Sequence, residues 1–440
     1  MYQFSGRLKM FAIILMLLGI IGIAIGFFTN GEHHEDATHD TEVVAKDGHD
    51  HAEDVKTHDD SHEAAADDHH MADHAEHSDN SAHLLANRPW SAVYIALFFF
   101  FMIALSIFVF YASQVAASAG WSVALYRVME GLSGAVVPIG LLLLLFLVLG
   151  AMGVHHLFHW MTAVGDEIIE AKSFWLNIPG WTIRAFVFIL GYIGFRHIII
   201  KKSEAQDKAE GYNPHEKGFR WTILFVAFFM LTEAMFSWDW IMSLDPHWFS
   251  TLFAWYIFAS GMVSAVTVIA IVTIYLKHKG YLKFVNQSHI HDLGKFMFGF
   301  SIFWTYLWFA QFMLIWYAHM PEETVYFVPR MYGAFKFWYF FMLLLNFLLP
   351  VLILMDRDWK RKNFLIIIVG IIVLAGHYID FYMMIMPSTI GDTFKFGIPE
   401  VGGILFFLGL FIYFGFSNLA KRPLLHEGSP YIKETLHHHF

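Results

Sequence analysis

Six ionisable side chains set in strongly apolar surroundings carry the chemistry this sequence can offer: Glu233, Asp239, Asp245, His319, His377 and Asp380. A charge within a membrane-spanning run is costly and normally faces a polar interior, so such residues point to ion or proton movement unless they only tie helices together. Glu233, Asp239 and Asp245 follow one another in LTEAMFSWDWIMSLDPHWFST. At helical rise Glu233 comes to lie roughly 18 Å deep, near the bilayer middle. Asp239 is nearer the outer end. Asp245 precedes Pro246 in the outer turn, where an Asp suits either a helix start or a titrating surface group. In AGHYIDFYMMIMP, His377 and Asp380 are three apart and share a helical face. A buried His-carboxylate pair can pass protons, or can lock two helices by hydrogen bonding. The expected path runs from Glu233, His377 and Asp380 through Asp239, Asp245 and His319 to the outer surface, with Tyr192, Tyr275, Thr305 and Tyr306 as hydroxyl carriers on the other side.

Other polar residues admit two readings. His155 and His159, four apart, suit a metal or a relay on one helical face, or interfacial histidines satisfied by water. Arg184, Arg330 and Lys336 could neutralise the acids, although snorkelling to headgroups is the default for long basic side chains near span ends.

These residues need membrane helices to position them. The chain has 440 residues, 57% hydrophobic and only 15% charged, too apolar for soluble domains. The absence of cysteine excludes disulfides, thiolate zinc, iron-sulfur ligation and covalent c-type haem through Cys-x-x-Cys-His. Ten runs of about 20 apolar residues, enough to cross a bilayer, fall near 8–28, 92–113, 133–156, 181–200, 221–244, 250–276, 296–318, 332–355, 364–385 and 400–420. The expected fold is thus an all-α integral membrane protein of ten transmembrane helices. Runs two to five and six to nine are expected to form two four-helix bundles, with the first and last peripheral. Pro138 and Pro350 should break runs three and eight. The first run is longer than a signal-peptide core and lacks a small-x-small cleavage site, so residues 1–30 read as a retained anchor. Residues 31–90 read as an external loop, 91–420 as the membrane domain and 421–440 as a tail.

Charge is unevenly placed. Residues 31–83 hold 17 of the 38 acids and only Lys46 and Lys56, giving −15 there and +5 elsewhere. No basic cluster suggests nucleic acid. The acidic segment also holds 12 of the 27 histidines and almost no large apolar residue, so disorder is expected. It reads either as a weak collector of divalent metal or protons, or as a solubilising insertion. Of the 28 basic residues, 20 fall at the termini and in loops after even-numbered runs, which places both termini in the cytoplasm and residues 31–83 outside, in the periplasm if the membrane is a bacterial inner membrane.

Three segments carry a family resemblance: FSWDWIMSLDPHWF at 236–249, FMLIWYAHMPEET at 312–324 and GHYIDF at 376–381. They resemble polysulfide-reductase-type (NrfD-like) membrane subunits, in the versions found in alternative complex III, over residues 90–420. The resemblance implies a ten-helix subunit of a quinol-oxidising respiratory complex. Electrons there pass through an iron-sulfur subunit and multihaem cytochrome c subunits towards cytochrome c or a terminal oxidase. Quinone, haem c and iron-sulfur clusters are the cofactors implied for such a complex, the last two in partner subunits. Two NrfD-like subunits are implied, one with the quinol site and one serving architecture and proton transfer; this chain is more similar to the second. A b-type haem on two of His155, His159, His319 and His377 is a further reading of the residues. A proton-coupled secondary transporter and a purely structural scaffold are the competing classes.

Overall fold

The computed structural model describes residues 1–47 and 86–439. No β-strand occurs among the described residues, and ten of their helices are long and apolar enough to cross a membrane. Spans one to five are Gly6–Thr29, Arg88–Ala116, Gly120–Ala151, Ile178–Gln206 and Asn213–Leu244. Spans six to ten are Leu252–His278, Gln287–Ala318, Lys336–Leu354, Asn363–Ile390 and Ile398–Leu419. The ten-span, all-α architecture read from the apolar runs is present. Several helices extend past those runs; span three, for instance, starts at Gly120 and ends at Ala151 rather than covering 133–156. The helix of span one continues to Asp47, beyond residue 30 where apolarity stops. Residues 31–47 contain no proline, and lengthening an existing helix avoids the cost of nucleating one. Residues 48–85, and with them most of the segment expected to be a disordered external loop, lie outside the described residues.

Spans two to five close into one four-helix bundle and spans six to nine into a second. Span two is the shared wall, packing on spans five, six and nine. It carries no charge between Pro89 and Ala116 and is buried nearly all round, as a helix apolar on every face must be. Tyr94 and Phe98 meet Phe146, Phe236 and Phe381 across it. Spans one and ten pair at the periphery on a seam of small residues. A Cβ at Gly22 would lie 2.9 Å from the Gly402 Cα, and one at Gly26 would strike Pro399; glycines permit this backbone approach.

Both termini lie at the end that carries the connections after even-numbered spans. Tyr2 meets Tyr281 edge-on with centroids 5.1 Å apart, Thr435 Oγ1 donates to the Trp121 carbonyl at 2.7 Å, and His426 Nδ1 lies 2.6 Å from Asp207 Oδ1. The opposite end carries the long connections, where Trp248 stacks on Tyr326 at 4.1 Å and Arg88 pairs with Glu400.

Proline marks the irregular turns. A 3₁₀ turn at Ser133–Ala135 precedes Pro138, and a π-helical turn at Leu344–Leu348 precedes Pro350, because a proline ring cannot coexist with a normal turn behind it. The π turn carries Asn346 into the interior, where it is fully buried.

Candidate functional site

Asp380 is fully buried where spans six, seven and nine meet. Tyr256 and Ser260, four apart on span six, present two hydroxyls on one face. The Tyr256 hydroxyl donates to Asp380 Oδ1, and Ser260 Oγ donates to Oδ2 at 2.6 Å. From span seven Trp304 Nε1 donates to Oδ2 at 2.8 Å. His377 Nδ1 lies 3.4 Å from the same oxygen, so the helical spacing does bring His377 and Asp380 together. His377 Nε2 is buried without a protein partner, and the Trp304 ring stands across the imidazole at 87°, centroids 5.3 Å apart. Among the described residues Asp380 is therefore held by hydroxyls, an indole and an imidazole, with no Lys or Arg bound to it.

The cluster borders polar groups on two sides. Tyr256 also lines a cavity of about 10 Å³ with Trp308, Gln311, Tyr326 and Tyr339, room for about one water. Burial pushes the Tyr326 hydroxyl up to about 12, so it stays a neutral phenol that can both donate and accept. On the other side, Asn346 lies against Gly376, where a Cβ would be 2.0 Å from its Oδ1, and both its amide atoms are buried without protein partners. Such atoms normally require ordered water.

Arg330 does not snorkel: it is 1% exposed. Pro387 lacks the N–H that would serve the Met383 carbonyl four residues earlier in span nine. Arg330 Nε donates to that carbonyl at 2.8 Å, and Nη2 reaches Met384 O at 3.2 Å and Ser388 Oγ at 3.0 Å. Its guanidinium lies 3.5 Å over the Tyr326 ring. Lys336, by contrast, is exposed.

The remaining expected path residues are not gathered at this site. Asp239 is buried but clamped: Arg184 Nε lies 2.6 Å from Oδ2 and Nη2 3.0 Å from Oδ1, and Trp175 Nε1 donates at 2.7 Å. This is a bidentate ion pair between spans four and five, so of its two readings Arg184 takes that of neutralising an acid rather than snorkelling. Glu233 is buried on span five with Ser237 Oγ at 3.1 Å as its hydrogen-bond partner; no hydrogen bond or ion pair links it to His377 or Asp380 among the described residues. Asp245 is half-buried in the turn after span five and does not cap span six, whose N-cap is Thr251. His319 is exposed and ends span seven in the left-handed conformation, at φ 50°. His155 and His159 share no helical face, since span three stops at Ala151 and the chain turns through Gly153 at φ +77°. The His155 ring stacks on Phe146 at 4.4 Å and bonds its carbonyl, and burial pushes its pKa down.

Two buried ionic groups escaped the sequence reading. Glu400 at the start of span ten is fully buried and accepts both guanidinium bonds of Arg88 at 3.0 Å. At the terminus end Arg127 pairs with Glu130 and Asp207, while Arg196 donates to Ser133 Oγ and the Glu130 carbonyl. Asp207 is raised by burial, but His426 and Arg127 outweigh this and hold its carboxyl below the usual range. Residues 120–132 resemble a connection because Arg127 and Glu130 interrupt the apolar run; their i, i+3 spacing was the available signal.

Two architectural features, ten membrane-length helices and buried ionisable groups between them, define a multi-pass helical membrane protein. No family model and no curated protein matches the chain. Among the described residues no three His, Cys, Asp or Glu side chains are grouped to hold a metal. Of the four histidines in the haem reading, His159 and His319 are exposed, His155 bonds the Phe146 carbonyl through Nε2, and His377 turns Nδ1 to Asp380 and leaves Nε2 without a protein partner. An apolar crevice of about 810 Å³ runs beside spans six and nine; among the described residues its lining holds no carboxylate or histidine, and its hydroxyls are those of Tyr275, Tyr378 and Tyr382.

Proposed function

We propose that the chain is a membrane subunit of a quinol-oxidising respiratory complex of the alternative complex III type, in a bacterial cytoplasmic membrane with both termini inside. It contributes architecture and a proton path. Quinol chemistry, haem c and iron-sulfur clusters belong on this reading to partner subunits, among them a second NrfD-like chain. Three segments support the assignment, and the GHYIDF segment supplies both His377 and Asp380.

The observation that carries the proton reading is the set of partners around Asp380. Hydroxyl groups exchange donor and acceptor roles without leaving their positions. Tyr256 donates to Asp380 and borders the water-sized cavity, so a proton accepted there can be passed to the carboxylate. His377 offers Nδ1 to the carboxylate and keeps Nε2 for the far side. The conduit runs from Gln311 and Tyr326 through Tyr256, Asp380 and His377 towards Asn346. Glu233 is a separate proton-binding position in the first bundle.

Reconstituting the purified complex in vesicles tests this. Asp380→Asn keeps shape while removing the titrating group; the assembled variant should lose proton movement per electron. An unchanged rate and proton yield would leave Asp380 structural. Solute uptake that needs no partner subunit would favour the transporter. Topology is tested separately by a cysteine at Ser61 of this cysteine-free chain, which should react with an impermeant thiol reagent from outside.

A further inference from the structure

We propose that the apolar crevice between the one-ten pair and the second bundle binds an anionic phospholipid of the leaflet beside both termini. The crevice has a volume of about 810 Å³, within the roughly 300–1,000 Å³ common to ligand sites. At the terminus end Leu8, Tyr275 and Phe416 form its mouth, and at the opposite end Trp338 and Phe394 close it. It therefore follows the depth of the spans, as an extended hydrocarbon chain would.

The wall selects a chain over a helix. Helices that meet within a bilayer need small residues so that their backbones can approach, and the one-ten seam has them in Gly19, Gly22, Gly26, Gly402 and Gly409. The crevice wall has no glycine; branched aliphatic and aromatic side chains make nearly all of it, with Ala375 the small exception. Such a surface keeps a partner helix at a distance and accommodates flexible methylenes.

Charge at the mouth selects the headgroup. Arg7 and Lys9 flank Leu8 and are exposed, and Lys279 is exposed with its ammonium 5.9 Å over the Tyr275 ring. The three segments that build the mouth, residues 1–12, 268–285 and 404–422, contain no Asp or Glu. Basic residues at a bilayer surface with no acids among them favour an anionic phosphodiester over a zwitterionic lipid. A prenylated quinone would instead place its polar ring within the crevice, against hydroxyls such as that of Tyr378, which is buried without a protein partner.

The test uses the full chain in its purified complex, reconstituted in nanodiscs containing phosphatidylglycerol with a photoactivatable group on one acyl chain. Cross-links should map to residues 99–103, 371–379 and 404–412. An excess of plain phosphatidylglycerol should displace them, whereas phosphatidylcholine and a menaquinone should not. In the variant carrying K9Q and K279Q, which alters exposed residues only, labelling should fall about tenfold, since each surface basic residue adds a severalfold preference for anionic lipid. Equal displacement by phosphatidylcholine, displacement by menaquinone, or undiminished labelling of the variant would each overturn the proposal.

Discussion

Asp239 and Asp380 are both fully buried carboxyls on the last helix of a four-helix bundle, the first on span five and the second on span nine. Asp239 is gripped by the two-pronged guanidinium of Arg184 and by Trp175, whereas Asp380 receives hydroxyl, indole and imidazole groups. A bidentate guanidinium fixes geometry and keeps its own proton at any ordinary pH. Hydroxyls and imidazole can relay one. The difference teaches that equal burial does not make two carboxyls equivalent: the partner set decides whether a group that can exchange protons lies beside them. Glu233, with Ser237 as its bonded partner, stands between the two: neither clamped nor joined to a relay.

The comparison breaks first at Arg184. Replacing it by Ala strands the Asp239 carboxylate in the interior, which costs about 3–5 kcal/mol for a buried pair cut on one side, enough to abolish assembly of a marginally stable protein. Pairing Arg184→Met with Asp239→Leu should restore most of that loss, because both charges leave together. Thermal unfolding of the purified complex checks this, and recovery of normal proton yield in the double variant would confirm that Asp239 is no carrier. Asp380→Asn should show the reverse pattern: assembly kept, with turnover-linked proton transfer down by about 100-fold, as loss of a positioned proton-transfer group typically gives. An Asp380→Asn variant that fails to assemble while moving protons normally in any residual complex would put the two acids in the same structural class.

Span nine offers a sharper comparison within one helix. Arg330 serves the carbonyl that Pro387 leaves free. Arg330→Met should therefore cost about 1–3 kcal/mol by leaving buried carbonyls without donors. The loss should shrink by about 1 kcal/mol or more in a Pro387→Ala background, where the restored N–H can bond Met383 O. Additive effects in this double-mutant cycle would show that Arg330 is retained for another reason, such as its contact with Tyr326.

The ten spans were legible because each crossing requires a long apolar run, and a run of that kind is visible without knowing its neighbours. His377 and Asp380 were legible as a pair because three residues of helix put them on one face. Arg184 and Asp239 were not: 55 residues separate them, and only the packing of span four on span five brings them together. Arg330 was missed for a related reason, since the need it meets arises at Pro387 on another element. The His155 and His159 reading failed locally, where Gly153 ended the helix before either residue. Hydrophobic periodicity reports which face is buried, while polar partnerships across helices depend on register that no single run records.

The smallest effect is expected from the acidic, His-rich segment. Among the described residues, Asp380, Asp239 and Glu400 draw their bonded partners from residues 88–400. The sequence of residues 48–83 holds few large apolar side chains that could support a core. Excision of 48–83 with a short Gly-Ser link should therefore leave the unfolding temperature, quinol oxidation rate and proton yield within about twofold of the parent, given that changes remote from packed or catalytic groups usually cost under 0.5 kcal/mol. The comparison it sharpens is between one placed histidine and many: His377 has a bonded carboxylate in a fixed geometry, whereas the segment's sequence supplies imidazoles in number with no recurring spacing. A shortened protein that loses activity and regains it with added zinc or copper would shift function towards the segment, because metal held by its histidines would then be setting the rate that Asp380 is proposed to control.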